Sequence, residues 1–555
     1  MSNMTTTQDA PLPASMASAG RGRWLGLAML SLGVAMIIVD VTIVNVSVPA
    51  IIGDLGLTST GAEWINTAYA LVFAALLITL GRLGDVYGRR RLYLIGLVIF
   101  VAASMLAGLA PSGGVLILAR LLQGVGGAMI LPATQSILNT NFRGRDRAIA
   151  FGVWGAVIGG MAALGPLLGG WLTTNLSWRW AFFINLPVGL LAILGTLRFI
   201  GESCDEHAKA GFDLPGFALI TAGLSLVIFG LIEGTTYGWW AQKQPFEVLG
   251  FTWPTDWISI IPVCIAGGLL MLGAFAAVEV RRARAGRFYL FDFDLWRFPA
   301  FRYGNLAGTI VSLGEFGLLF VLPLYLQSVL RLTAFETGLV FLSLAIGAFF
   351  AAPLAATLAK RFGPRRVVTI GMALEAVGIL LTTLPLNATV SPWQLVLPLF
   401  LYGLGVGFAT AQLTSVVLSD IPVEKSGLGS GANSTMRQIG SALGIAILGT
   451  VLLTSLGNGV RTNLQAVQGL PPAVGEGIAV AMESSAGQAL TAIREQPGAK
   501  AVVLPIEDAF TDAAHLTGLV AFGFVILGFL FSLLLPDTRL LDPAMAAEPA
   551  VAAAA

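Results

Sequence analysis

Fourteen windows of about twenty mainly apolar residues recur along this 555-residue chain, and nothing else in it restricts folding as much. They centre on residues 24–49, 62–82, 92–110, 115–138, 149–172, 180–199, 213–233, 257–280, 303–327, 334–359, 367–385, 393–418, 428–455 and 512–535. A window of that length is what an α-helix needs to cross the hydrocarbon layer. Inside that layer every backbone N–H and C=O must be satisfied, which a helix does within its own segment, and windows about twice the length of a spanning β-strand read as helices. Composition agrees: 56% of residues are hydrophobic and 11% charged, whereas a soluble domain carries about 25% charged residues. The expected fold class is an all-α polytopic membrane protein with 14 transmembrane helices.

The positions of the charges matter more than their sum, which is +1. With the N-terminus inside, 23 of the 31 Lys and Arg residues fall in inside segments. The positive-inside bias then places both termini in the cytoplasm of a plasma or inner membrane protein and calls for an even number of spans. Residues 1–23 and 536–555 read as cytoplasmic tails, the first one disordered. The apolar run after Arg23 is too long for a signal peptide. Residues 234–256, with Trp239, Trp240 and Trp253, read as an aromatic connection at the outer face, and 456–511 as a long Gly/Ala/Gln-rich outer loop. Residues 281–302 are basic and aromatic and are expected along the lipid headgroups. Glu233 and Glu279, near span ends, are expected at the interface.

Several function classes are excluded or disfavoured. Cys204 and Cys264 make no disulfide framework. His207 and His515 have no metal-ligand spacing. There is no G-x-x-x-x-G-K-[ST] loop, so ATP is not hydrolysed by that route. No nucleophile–base pair suggests an enzyme. Neither a cofactor nor a nucleic-acid partner is expected, and the chain is expected to act as a monomer among membrane lipids.

The segment Gly81-Arg82-Leu83-Gly84-Asp85-Val86-Tyr87-Gly88-Arg89-Arg90-Arg91 sets a carboxylate and four arginines in a tight turn between two spans. Asp85 can cap a neighbouring helix or pair with an arginine. Such a contact, made in one state and broken in another, is a gate latch; the alternative is plain anchoring of basic residues at the inner face. A weak copy follows the tenth window: Lys360-Arg361-Phe362-Gly363-Pro364-Arg365-Arg366, with Lys360 where the first has its acid. Related halves of this kind are expected of secondary transporters.

With Gly81, Asp85, Gly88, Arg89 and Arg90 in place, this turn resembles the cytoplasmic signature of the major facilitator superfamily, although Val86 stands where a basic residue is usual. Leu116–Ala128 resembles that family's fourth-helix motif through Arg120, Gln123, Gly124 and Gly127, which share one helix face. A buried arginine is costly and is by default a functional candidate; the alternative is an arginine paired for structure alone. Gly152, Gly165, Pro166, Gly169 and Gly170 look like the antiporter motif of drug exporters, with Met161 in place of one glycine. Small residues there also suit generic close packing. Val39–Pro49, containing Asp40, resembles the signature of the fourteen-span drug:H⁺ antiporter family, with Ser47 in place of an alanine. Trp178–Pro187 and Ser430–Gly444 are similar to segments typical of that group.

That resemblance implies two six-helix halves, 24–199 and 303–535, separated by residues 200–302, which hold two extra helices and a basic linker. It implies a proton-coupled exporter of lipophilic, cationic drugs or metabolites working by alternating access on the proton gradient. The same reading admits export of a lipid or an endogenous antibiotic, and a non-transporting membrane scaffold or sensor stands as the alternative of another class. The proton-coupling candidates are Asp40, Arg120 and Glu315. Asp40 could instead be a packing acid bonded to Asn45 or to neighbours near Thr42. Glu315 lies beside Phe316 and Phe320, which suits a lipophilic cation, and could instead be a protonated acid bonded to a neighbouring helix. Gln123, Asn433, Arg437 and Glu375 are expected to line the cavity.

Overall fold

In the computed structural model, residues 21–57, 59–205, 211–248, 251–496 and 499–536 are described. The outer parts of both expected tails, and His207 with Lys209, lie outside these residues. The helices are α1 (Arg21–Leu55), α2 (Ser59–Tyr87), α3 (Arg89–Gly108), α4 (Gly113–Asn141), α5 (Gly144–Asn175), α6 (Trp180–Phe183), α7 (Asn185–Phe199), α8 (Leu214–Tyr237) and α9 (Ile260–Arg284). They continue as α10 (Pro299–Ser328), α11 (Ala334–Phe362), α12 (Pro364–Thr383), α13 (Val396–Val417), α14 (Ser426–Gln465), α15 (Pro472–Ser484), α16 (Ala489–Arg494) and α17 (Lys500–Ser532).

Each of the fourteen expected windows falls on a helix, α6 and α7 together forming the sixth. Among the described residues, 12 of these helices are long and apolar enough to cross a membrane. The other two, α5 and α11, have 32 and 29 residues. Helix α1 begins at Arg21, inside the stretch expected to be a disordered tail, and Arg23 is ion-paired with Asp146 at 2.5 Å.

The helices form two groups and an inserted pair. In the first group α1 packs on α5 and α7, and α4 on α2 and α3; in the second α10 packs on α14 and α17, and α13 on α11 and α12. The groups meet where α5 lies against α11 and α13, and α2 against α14. An internal repeat is visible in the backbone. Gly88 and Gly363 join equivalent helices with φ of 114° and 86°, a conformation that a Cβ disfavours. Each joint opens a helix, α3 or α12, that then crosses its neighbour glycine on glycine. A Cβ on Gly126 would lie 2.8 Å from the Gly96 carbonyl, and one on Gly405 would lie 2.7 Å from that of Gly371. Where lipid removes the hydrophobic drive between helices, such close backbone approach supplies much of the attraction.

Helices α8 and α9 pack on one another, and α8 also lies against both α2 and α14. Glu233 of α8 is buried rather than interfacial and accepts a hydrogen bond from Thr67 of α2 at 3.2 Å. Trp239 donates its indole N–H to Thr450 of α14 at 2.9 Å. The inserted pair therefore spans the α2–α14 side of the bundle. Part of the connection expected over 234–256 is a hairpin, β1 (Phe246–Val248) antiparallel to β2 (Phe251–Trp253).

The segment 456–511 differs from the expected loop. Helix α14 continues to Gln465, α15 and α16 follow, and α17 starts at Lys500. Its alanines, glutamines and glutamates favour helix, and its few apolar residues sit on one side. Ala479, Met482, Leu490 and Ile493 are buried in a cluster with Leu464 and Phe510. Ion pairs from Arg461 to Glu483 at 2.8 Å and from Arg494 to Glu507 at 2.6 Å fix the layer.

Candidate transport site

Two polar assemblies stand out, one in mid-span within the first helix group and one at that group's arginine-rich end, where it meets the start of α14. The first is built on Asp40, halfway along α1 and fully buried. Its Oδ2 takes the Nη1 of Arg120 at 2.5 Å. Its Oδ1 accepts from the side-chain amides of Gln123 at 2.9 Å and Asn185 at 2.8 Å. Gln123 also accepts from Arg120 at 2.9 Å, and both amides donate to the Ser104 hydroxyl, at 2.8 and 3.1 Å. Arg120 donates Nε to the Ile65 carbonyl at 3.1 Å and lies over the Tyr69 ring, 4.4 Å from its centroid. Five helices, α1, α2, α3, α4 and α7, thus converge on one carboxylate. Arg120, Gln123 and Gly124 arrive together because they share one face of α4, and Gly124 lets that face touch the backbone of Tyr69. Such an ion pair is compensated only while complete; removing one partner of a buried pair costs about 3–5 kcal/mol.

The second assembly is the Gly81–Arg91 turn. Asp85 is fully buried, and its carboxylate gathers four donor groups. Oδ1 accepts from Arg89 Nε at 2.9 Å, from Arg89 Nη2 at 2.6 Å and from the Gly427 N–H at 2.8 Å; Oδ2 accepts from the Leu428 N–H at 2.9 Å. Both options raised for Asp85 hold at once: it pairs with Arg89 and caps the N-terminus of α14, where free N–H groups and the helix dipole favour an anion. Arg89 extends the contact through Nη2 to the carbonyls of Val423 at 2.8 Å and Glu424 at 3.2 Å. Gly81 sits where α2 presses against α14, its α-carbon facing the Gly427 carbonyl too closely for any Cβ. At Gly88, Glu202 closes on the turn and accepts the N–H groups of Arg90 and Arg91 at 3.0 and 3.1 Å. Arg90 also donates Nη2 to the Leu197 carbonyl at 3.0 Å, whereas Arg91 is largely exposed.

The second group holds its acids differently. Glu315, in mid-span on α10, has its Oε2 3.9 Å from Arg437 Nη2 on α14, too long for a direct hydrogen bond. Glu375 on α12 is fully buried, and neither of its carboxyl oxygens has a hydrogen-bond partner among the described residues. Its backbone lies against Gly405 of α13. Asn433, one turn of α14 before Arg437, is buried, and its Nδ2 has no hydrogen-bond partner among the described residues. Ser434 next to it donates to Gln135 of α4 at 3.3 Å, across the two groups. Gln123, expected on the cavity wall, is hydrogen-bonded to Asp40, Arg120 and Ser104.

The Major Facilitator Superfamily profile matches residues 30–445 and 304–547. The chain belongs to the Major Facilitator Superfamily. It is 35% identical over 446 residues to the puromycin resistance protein pur8 of Streptomyces alboniger, covering 77% of this chain and 82% of the relative. It is 32% identical over 447 residues to the probable actinorhodin transporter of Streptomyces coelicolor, covering 79% and 73%. The fold is similar to that of the human organic anion transporter MFSD10, with a TM-score of 0.57 at 14% identity, covering 92% of this chain and all of that one.

Within this superfamily chain the glycines of α5 have distinct places. A Cβ on Gly165 would overlap the Thr42 hydroxyl of α1, and one on Gly169 would lie 3.0 Å from the Ile43 carbonyl. Gly152 is buried, Gly170 faces open space, and the side chain of Pro166 lies outside the described residues. The motif therefore seats α5 on α1 one turn beyond Asp40. Gly165→Ala is expected to destabilise the protein by about 1–3 kcal/mol through overpacking, and adding Thr42→Gly, which removes both the hydroxyl and the Cβ that a Cβ on Gly165 would meet, should recover more of that than Thr42→Ala, which leaves the Thr42 Cβ in place. Thermal unfolding of the purified protein in detergent checks both.

Asn185, Ser104 and Tyr69 complete the Asp40 assembly and were not singled out from sequence. Asn185 did carry a signal, since it lies in the quoted Trp178–Pro187 segment at the start of a span. Ser104 and Tyr69 carried none.

Proposed function

We propose that this chain is a proton-driven exporter of lipophilic small molecules of the antibiotic and drug type, working by alternating access. The observation that carries the proposal is the Asp40–Arg120 pair, an exchangeable carboxylate balanced against a cation in mid-span with no water-exposed atom. Protonating Asp40 removes the charge that compensates Arg120. The guanidinium must then find other acceptors, and the five helices that meet on the carboxylate must repack. Glu315 and Glu375 are the second-half acids in this scheme. An ionised carboxylate without donors costs several kcal/mol in hydrocarbon, so each acid changes partner when it changes charge. Arg437 and Asn433 lie within reach of that exchange and line the path of the substrate.

In this reading the arginine-rich end faces the cytoplasm, both termini included. Residues 24–199 and 303–535 rock as two halves with 200–302 between them, and α5 and α11 complete fourteen spans. The Asp85 contact is the closed inner latch, since it ties α2 and the start of α3 to the start of α14. The names of the two relatives favour antibiotics over lipids as the cargo class. The protein functions as a monomer in the plasma membrane.

The test is accumulation of a fluorescent lipophilic cation in cells that lack their own major pumps. Expression of this chain should lower accumulation, and an ionophore that exchanges K⁺ for H⁺, collapsing the pH gradient while leaving the membrane potential, should restore it. Low accumulation that persists under that ionophore overturns the proton-driven reading.

A further inference from the structure

The inserted helices bring their own contact to the arginine-rich gate. After α9 the chain passes through 285–298 before α10 begins. Glu279, fully buried near the end of α9, accepts the backbone N–H groups of Leu290 at 2.6 Å and Phe291 at 2.9 Å. Asp213, the N-cap of α8, holds Arg282 Nε at 2.8 Å. These contacts fold the linker back under the bundle, where Leu290, Phe291 and Leu295 are buried.

From this anchored turn three side chains reach the gate. The rings of Phe288 and Tyr289 cover the Arg82 guanidinium, with centroids at 5.6 and 5.5 Å. Asp292 Oδ2 meets Lys425 Nζ at 2.5 Å. Lys425 is the N-cap residue of α14, so its cation stands where the helix dipole is least favourable to it. Asp292 compensates that charge. The turn Val423–Lys425 is thus gripped twice, by Arg89 on its carbonyls and by Asp292 on its lysine.

We propose that Asp292 is a positioning residue for the inner latch: by fixing Lys425 it places the Gly427 and Leu428 N–H groups under Asp85, and it ties the α8–α9 insertion to opening of the gate. The role rests on the latch reading of Asp85. The linker and the Gly81–Arg91 turn then act on the same helix end through one contact, the linker holding in place the N–H groups that Asp85 binds.

The test uses the full chain in inverted vesicles, with Cys204→Ser to remove the exposed thiol and Ser430→Cys as a reporter. Ser430 is fully buried on α14, one turn behind the latch. A membrane-impermeant maleimide then measures how often the inner gate opens. Asp292→Ala should raise the labelling rate about tenfold, as expected for loss of a charge-assisted contact, and should lower kcat for efflux more than it changes KM. Asp292→Glu should restore both, and so should the exchanged pair Asp292→Lys with Lys425→Asp. On an Asp85→Asn background, Asp292→Ala should add little, because the N–H groups it positions no longer have their anion. Lys425→Met supplies the same test from the other side if Asp292→Ala fails to reach the membrane. Unchanged labelling in Asp292→Ala beside increased labelling in Asp85→Asn overturns the Asp292 role alone, as does a full additive effect in the double variant. Unchanged labelling in Asp85→Asn overturns the latch reading itself.

Discussion

Asp40→Asn is expected to abolish proton-driven efflux, reducing it about a hundredfold or more, while the protein still reaches the membrane. The amide keeps the size of the carboxyl and can accept one of its hydrogen bonds. It cannot balance Arg120, whose Nη1 lies 2.5 Å from Asp40 Oδ2. Its NH2 also turns a donor toward Gln123 or Asn185, which donate to Oδ1 in the native protein. An uncompensated buried charge costs about 3–5 kcal/mol, so part of the loss is conformational: the helices relax toward an arrangement in which Arg120 finds other acceptors. The diagnostic result is a separation of activities. Substrate exchange at equal concentrations on both sides, which needs no net proton movement, should survive in Asp40→Asn better than uphill efflux. Transport assays with and without an imposed gradient check this. Full uphill efflux in Asp40→Asn would leave Asp40 a packing acid.

The second large effect is expected at the latch. Asp85→Asn removes the negative charge facing Arg89 and the first N–H groups of α14. Hydrogen bonds to a charged group contribute about 1.5–3 kcal/mol each, and a carboxylate at a helix N-terminus adds about 0.3–1 kcal/mol. Part of this sum returns through the remaining amide oxygen, and turnover is expected to fall about tenfold with little change in KM. Asp85 is not among the residues proposed to meet the substrate, so the loss is expected in closing the inner side. Arg89→Ala should resemble it, because Arg89 supplies two donors to Asp85 and also grips the carbonyls of Val423 and Glu424. Steady-state efflux kinetics in both variants measure the split between kcat and KM.

The difference between these residues and their partners shows what a sequence of this kind discloses. The helices were legible because lipid demands long apolar windows, and the windows coincide with helices. Asp40, Arg120 and Asp85 were legible because charge in or beside such a window is costly and needs a reason. Their partners were not. Asp85 is bound by backbone N–H groups at 427 and 428, which have no side-chain signature. Asn185 reaches Asp40 across 145 residues of chain. Glu279 looked interfacial because it sits near a span end, yet the linker folds back to bury it. The segment 456–511 reads as a loop because it is Gly/Ala/Gln-rich and only weakly amphipathic, although Met482, Leu490 and Ile493 are buried. The division of labour between Asp85 and Asp292 followed only from seeing that the residue before α14 is a lysine held by the linker.

The central claim is that proton flow through the Asp40 assembly drives the substrate outward. The direct measurement is uptake of a lipophilic cation into inverted vesicles, with the pH gradient set by buffers and the membrane potential clamped. An acid lumen should drive uptake against the dye's own gradient, and reversing the pH gradient should reverse the net flux. Asp40→Asn vesicles should show neither response. Equal uptake with and without the gradient would contradict the proposal.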